Sequence, residues 1–120
     1  MPEYVDGFLI PVPKNKVAEY RRIARKAGKV WKEYGALEYR ECLGDDLKND
    51  WGMPFPKSAR CKPDEVVVFS WITYKSRKHR DQVNAKVIAD PRIRKMCDPS
   101  KQLFDCKRMA YGGFKTLVAC

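Results

Sequence analysis

Five cysteines, Cys42, Cys61, Cys97, Cys106 and Cys120, and one histidine, His79, are the residues that nucleophilic, redox or metal chemistry would draw on first. Their spacing argues against all three. No two cysteines form a C-x-x-C pair, the nearest two, Cys97 and Cys106, are nine residues apart, and His79 stands far from a zinc-knuckle spacing. A nucleophilic thiol needs a base beside it. His79 lies within Arg77, Lys78 and Arg80, a setting that suits a solvated helix face better than a general base. The cysteines therefore read as free thiols, small and either buried or at the surface. Asp45, Asp46 and Asp50 are followed or separated by Leu47-Lys48 and lack calcium-loop spacing. Gly112-Gly113 has no P-loop context for a phosphate. The pattern calls for no metal and no cofactor.

What remains is a handful of polar groups set among apolar strand residues. Ligand pockets are mostly apolar with a few placed polar groups. Asp6, Glu41, Ser70, Arg108 and Tyr111 are the candidates of that kind, one in each strand or two in the last, and Trp71 supplies a flat apolar wall. An acid such as Asp6 among apolar neighbours is costly unless paired; Arg108 or Lys107 is the expected partner. With no histidine in the strands, a neutral-pH base would have to be another group. Binding of a small molecule is favoured over turnover, and no residue is assigned a catalytic role.

Charge supplies the second candidate set. Twenty-five Lys and Arg against fifteen Asp and Glu give a net charge of +10. The excess is uneven, with +4 in residues 1–40, −2 in 41–74 and +7 in 75–108. A nucleic-acid binder would use Arg21, Arg22, Arg25 and Lys29 on one helix and Arg77, Lys78 and Arg80 on another. Contacts of that sort are weakly specific and strongly salt-dependent. The RNP1 pattern is absent; Ala110-Tyr111-Gly112-Gly113-Phe114 only echoes it. A non-catalytic accessory or interaction protein is the main alternative to small-molecule binding; nucleic acid is the weaker reading, and the charge mostly describes two solvated helix faces.

The elements that position these groups follow from periodicity. Tyr4–Val12 reads as a strand, with Gly7 suggesting a bulge or a close approach, and Pro11 and Pro13 marking its end or an edge. Val17, Tyr20, Ala24, Ala27, Trp31 and Tyr34 form the apolar stripe of a helix over residues 15–34, closed by Gly35. Residues 36–43 read as a second strand. The polar stretch 44–63, with Trp51, Met53 and Phe55 alternating, is expected to be an extra strand, a lid or a mobile loop. Residues 64–74 form the strongest strand, apolar on both faces: Val66, Val68, Ser70 and Ile72 on one, Val67, Phe69, Trp71 and Thr73 on the other. Ser76 caps a helix to about Ala89 with Val83, Val87 and Ile88 inward. Asp90-Pro91 opens a short helix to Met96, Asp98-Pro99-Ser100 breaks it, and residues 107–117 form the last strand.

The order predicts an α+β fold over residues 1–120 as one domain, the ferredoxin-like βαββαβ arrangement with an antiparallel sheet and both helices on one face. One row of the third strand, either Val66, Val68 and Ile72 or Val67, Phe69 and Trp71, is then left open, and monomers rarely expose such a patch. The expected cover is the same face of a second copy, making a homodimer of the dimeric α+β barrel type. The longest apolar run, Val66–Phe69, excludes a membrane span. The opening residues show no basic n-region of a secretory signal, so the expected compartment is the reducing cytoplasm.

Several blocks resemble one family. Tyr4-Val5-Asp6-Gly7-Phe8 with Pro11 and Pro13, Tyr34-Gly35-Ala36-Leu37, Glu41-Cys42 and Gly44-Asp45-Asp46 are similar to the YbaA-like family of small bacterial proteins. So are residues 64–72, Arg80-Asp81, Asp90-Pro91-Arg92, and Phe104-Asp105 through Phe114. The family is classed as a domain of unknown function. The resemblance implies a dimeric α/β-barrel or ferredoxin-like fold in a cytoplasmic bacterial protein, and it brings no established activity. Residues 47–62, richer in proline and lysine, depart from the family pattern, as do the number of cysteines and the basic balance.

Overall fold

The computed structural model describes residues 3–96, 100 and 102–120; Cys97 and the Asp98-Pro99 part of the expected break lie outside them. Four strands, β1 (Tyr4–Pro13), β2 (Glu38–Leu43), β3 (Glu65–Tyr74) and β4 (Ala110–Lys115), alternate with α1 (Val17–Glu33), α2 (Phe55–Ser58), α3 (Arg77–Ala89) and α4 (Pro91–Met96). The sheet runs β2-β3-β1-β4 with every neighbour antiparallel. This is the ferredoxin-like arrangement the sequence predicts.

Register explains the two-sided character of the sheet. Tyr4, Asp6, Ile10 and Val12 of β1 pair with Tyr74, Ile72, Val68 and Val66 of β3. Six of those eight side chains are hydrophobic and buried on one face, under α1 and α3; Asp6 is buried with them and Val66 is half-buried. Val30, Val83, Val87 and Ile93 come down from the helices to complete that layer. The opposite face carries Val5, Leu9, Phe69, Trp71 and Phe114. Phe69 is 45% and Phe114 62% exposed, whereas Val67 on the same face is buried, so this face of β3 is covered at one end only where the sequence asks for full cover.

Helix ends follow local chemistry. Gly35 adopts φ +112°, which lets its N–H and that of Ala36 reach back to the carbonyls of Lys32 and Trp31 at 3.1 Å each. Ser76 Oγ accepts from the His79 N–H at 3.1 Å, capping α3. His79 in turn accepts the Lys75 N–H on Nδ1 at 3.0 Å, so the only imidazole is part of this helix start.

Gly28 is required for packing. A Cβ there would come within 2.7 Å of the Tyr39 ring. That ring is pinned by its hydroxyl, which donates to Glu41, so it cannot swing aside. Gly28→Ala gains about 1 kcal/mol of helix propensity but forces α1 off the sheet, and overpacking of this kind costs about 1–3 kcal/mol. The clash involves a fixed ring, so net destabilisation is expected. Chemical denaturation of the variant checks it, and an unchanged or raised midpoint contradicts it.

Four expectations change. The segment 44–63 contains no strand among the described residues. Its one helical element among the described residues is the single turn α2, set on β3 with the Phe55 ring edge-on to Phe69 at 6.0 Å. The last strand is shorter than 107–117: Asp105 caps its own turn, accepting the Lys107 N–H on its side chain and the Arg108 N–H on its carbonyl. That puts Lys107 and Arg108 in a 3-10 turn before β4. Ile88 is 65% exposed, because α3 seats on the sheet through Val83 and Val87, and the next residue turns 100° away. Gly7 makes no bulge, since the β1 register runs unbroken through it; instead the Phe114 ring lies 3.4 Å from where a Cβ on Gly7 would stand.

Candidate functional site

The sequence candidates fall into four places. Asp6, Glu41, Ser70 and Tyr111 all point to the helix-covered face. Glu41, Ser70, Phe8 and Tyr111 form one cross-strand row spanning the whole sheet, so Glu41 and Tyr111 sit at opposite ends of it. Trp71 is on the other face. Arg108 lies beyond the strands.

Asp6 is the most buried polar group, 1% exposed. Its partner is Arg80 of α3, at 2.9 Å, and neither Arg108 nor Lys107: Arg108 is tied to Glu65, opposite Pro13 at the far end of β1, whereas Arg80 shares the inward face of α3 with Val83 and Val87. Asn84 donates to the second carboxylate oxygen at 3.3 Å. The Asn84 carbonyl accepts from the Trp31 indole and the Tyr74 hydroxyl, both at 3.1 Å. Arg80 also donates to Tyr111 Oη at 3.1 Å, lies 4.9 Å over the Tyr4 ring, and has Asp81 2.9 Å from Nε, outside hydrogen-bonding geometry. Burial pushes the Asp6 carboxyl above its ordinary range, with Arg80 pulling the other way. The cluster is a filled network joining α1, α3 and three strands, hydrogen-bonded throughout except at the buried Arg80 Nε. Arg80, counted with the exposed cations in the sequence, is turned into the core with its side chain 14% exposed. Tyr111 stacks on Phe8 at 5.0 Å.

Arg108 fastens the chain before β4 to the start of β3. It donates to Glu65 Oε1 at 2.8 Å and to the Arg60 carbonyl at 3.0 Å, with Asp105 3.5 Å away. Those bonds hold the Glu65 carboxyl down to about 2, against an ordinary 4.5. A carboxylate depressed in the fold contributes stability that is present above 4.5 and lost as pH falls through about 2. Arg108→Ala is expected to remove that part of the acid slope. Unfolding free energies followed from pH 5 to pH 2 test it; identical slopes in the two proteins contradict it.

Trp71 belongs to the open face, where its indole donates to Glu38 at 2.6 Å and the Arg40 guanidinium lies 5.9 Å over its ring.

Glu41 lies in a different environment. It accepts the Tyr20 hydroxyl at 2.6 Å and the Tyr39 hydroxyl at 2.7 Å. Burial first, and the neighbouring carboxylate next, push both phenols far above their ordinary range, so both remain proton donors. Above this triad α1 overhangs the exposed edge strand β2, leaving a groove of about 740 Å³. Val17, Ala24, Leu43 and Val68 give it apolar walls, and Arg21, Arg25, Lys29 and Lys32 border it. Glu41 from the pocket candidates and Arg21, Arg25 and Lys29 from the basic candidates thus line one feature. Arg22 is exposed on α1 outside it, and Arg77 and Lys78 are exposed at the start of α3. Tyr20 and Tyr39 are the residues that sequence reasoning passed over. Tyr20 reads as core stripe, and the signal for Tyr39 is its two-residue spacing from Glu41 on one strand face. Among the described residues no group of three His, Cys, Asp or Glu side chains is placed to hold a metal ion.

A four-stranded antiparallel sheet of order β2-β3-β1-β4, with its long helices on one face, defines an α+β protein of ferredoxin-like fold. The chain belongs to the family described as proteins of unknown function, DUF1428, whose model matches residues 3–106. It is 40% identical over 116 residues to the uncharacterized protein YbaA of Escherichia coli strain K12, covering 97% of each chain. The YbaA protein of Shigella flexneri matches to the same extent. Among solved structures, an uncharacterized NIPSNAP domain protein from Burkholderia xenovorans superposes with a TM-score of 0.58 at 16% identity, over 98% of this chain and 97% of the other. A nipsnap family protein with unknown function from Agrobacterium tumefaciens gives 0.57 at 14% identity, over 96% and 88%. At those identities the likeness is one of fold. No helix is long and apolar enough to cross a membrane among the described residues.

Proposed function

We propose that the protein is a cytoplasmic homodimer that binds a small molecule in the groove between α1 and the edge strand β2. The observation that carries the binding half is the groove itself. Its volume of about 740 Å³ falls in the range of small-molecule sites, and it combines apolar walls with a few convergent polar groups. The Tyr20–Glu41–Tyr39 triad is held by packing rather than by a cation, as a preformed polar floor. The Asp6–Arg80 network, by contrast, is closed by its own partners and serves to dock α3.

The dimer half rests on the open face. Val5, Leu9, Phe69, Trp71 and Phe114 form one apolar surface, bordered by α2. Its charged residues include Glu38 and Arg40, which pair with each other. A chain of net charge +10 meets little repulsion when two copies approach through this face, because the basic excess lies on the helices. Equilibrium sedimentation at micromolar concentration is expected to give twice the 14.0 kDa chain mass; a clean monomer refutes the dimer. For the ligand, thermal shifts against a panel of small metabolites, with Leu43→Trp filling the groove, are expected to show stabilisation that the substitution abolishes.

A further inference from the structure

We infer that the groove selects an amphipathic organic anion, with a carboxylate or similar single-charged head at the rim and an apolar body along the walls. This rests on the small-molecule reading above and names the ligand class.

The signs of charge around the groove impose the orientation. Arg21 and Arg25 are one helical turn apart, so their backbones are about 6 Å apart along the axis and both forks reach one oxyanion. Both are exposed, and neither has an ion-pair partner among the described residues. Lys29 and Lys32 also border the groove, Lys32 donating to the Leu37 carbonyl at 2.8 Å, and they add positive charge beside the two guanidiniums. Paired guanidinium groups suit a planar carboxylate, which they bind through two parallel N–H···O bonds. The floor has the opposite character. Glu41 already accepts both tyrosine hydroxyls, so no phenolic proton is left to receive an anionic head, and its own charge repels one. An acid head is therefore held at the rim and kept from the floor. The walls from Val17 to Leu43 and Val68 take the uncharged body, each buried methylene adding about 0.8 kcal/mol.

Calorimetric titration of the full chain with decanoate and with decan-1-ol separates head from body. Decanoate is expected to bind at least tenfold tighter than decanol. Arg21→Ala/Arg25→Ala is expected to lose at least tenfold for decanoate and to leave decanol unchanged. Both positions are exposed, so the fold is not at risk, and far-ultraviolet circular dichroism verifies that. Leu43→Trp, at a position 53% exposed, is expected to abolish both. Equal binding of the two probes, blocked by Leu43→Trp, overturns the head-group inference while the groove remains a ligand site. Decanoate binding that survives both variants places the anion elsewhere and overturns the inference. Absence of binding by either probe overturns it together with the reading of the groove on which it rests.

Discussion

Replacing Arg80 by methionine is expected to lower the unfolding free energy by about 3–5 kcal/mol at neutral pH, the range found when one partner of a buried ion pair is removed. The reason is the carboxylate left behind. Asp6 is 1% exposed and would keep only neutral partners, Asn84 at 3.3 Å and the hydroxyls of Tyr74 and Tyr111. The loss should also depend on pH with a defined sign. Burial already raises the Asp6 carboxyl above its ordinary 3.8 against the pull of Arg80, and without that pull it rises further. A carboxyl raised in the fold contributes stability that is full below 3.8 and lost as pH climbs through the folded value. Arg80→Met should therefore be more stable at pH 5 than at pH 8. The double variant Asp6→Leu/Arg80→Met should recover much of the loss, because it leaves no buried charge. Urea unfolding of the four proteins at both pH values forms the cycle. A single variant that loses less than about 1 kcal/mol, or a double variant worse than either single, would show that the pair is not what seats α3.

The second large effect concerns the proposed dimer. Phe69→Glu/Phe114→Glu is expected to convert it into a folded monomer of 14.0 kDa, raising the dissociation constant by at least about a thousandfold. Stable interfaces bury about 1,200–2,000 Å² in total, and Phe69 and Phe114 are the large exposed rings of the open face. A two-fold axis repeats each substitution, so two changes put four carboxylates into an apolar seam, where an unpaired charge is strongly disfavoured. Phe69 and Phe114 are 45% and 62% exposed, so the protomer loses little by their replacement. Sedimentation velocity across a concentration series decides the matter, with the far-ultraviolet spectrum confirming the fold. A variant that stays dimeric moves the interface off the sheet.

How legible these features were in the sequence depends on the range of the interaction. Strand β3 announced itself because alternation and burial act within ten residues. The cap at Ser76 and the glycine at Gly35 were equally local. The partner of Asp6 was not, since Arg80 stands 74 residues away and sits in a basic run that reads as solvent-facing; only the seating of Val83 and Val87 shows which member of the run turns inward. Arg108 was misplaced because an Asp105 side-chain turn competed with strand propensity. The groove was half legible. Glu41 and the arginines of α1 were each singled out, but their convergence depends on α1 crossing β2 at Gly28, and that crossing follows from tertiary packing.

The unequal lengths of β1 and β4 have a consequence for the backbone. β4 pairs with β1 only from Tyr4 to Leu9, while β1 continues to Pro13 along β3. The last four residues of β1 thus lack a β4 partner, yet Ile10, Pro11 and Val12 are buried, with Phe104 and Met109 packed against Ile10 and Val12. Two of the four are Pro11 and Pro13, spaced by the strand period and so aimed to the same side, and neither has an N–H to donate. A buried N–H without a partner is costly, and at these two positions none exists. The prolines that end the ladder therefore let β1 run on under cover after its neighbour has stopped.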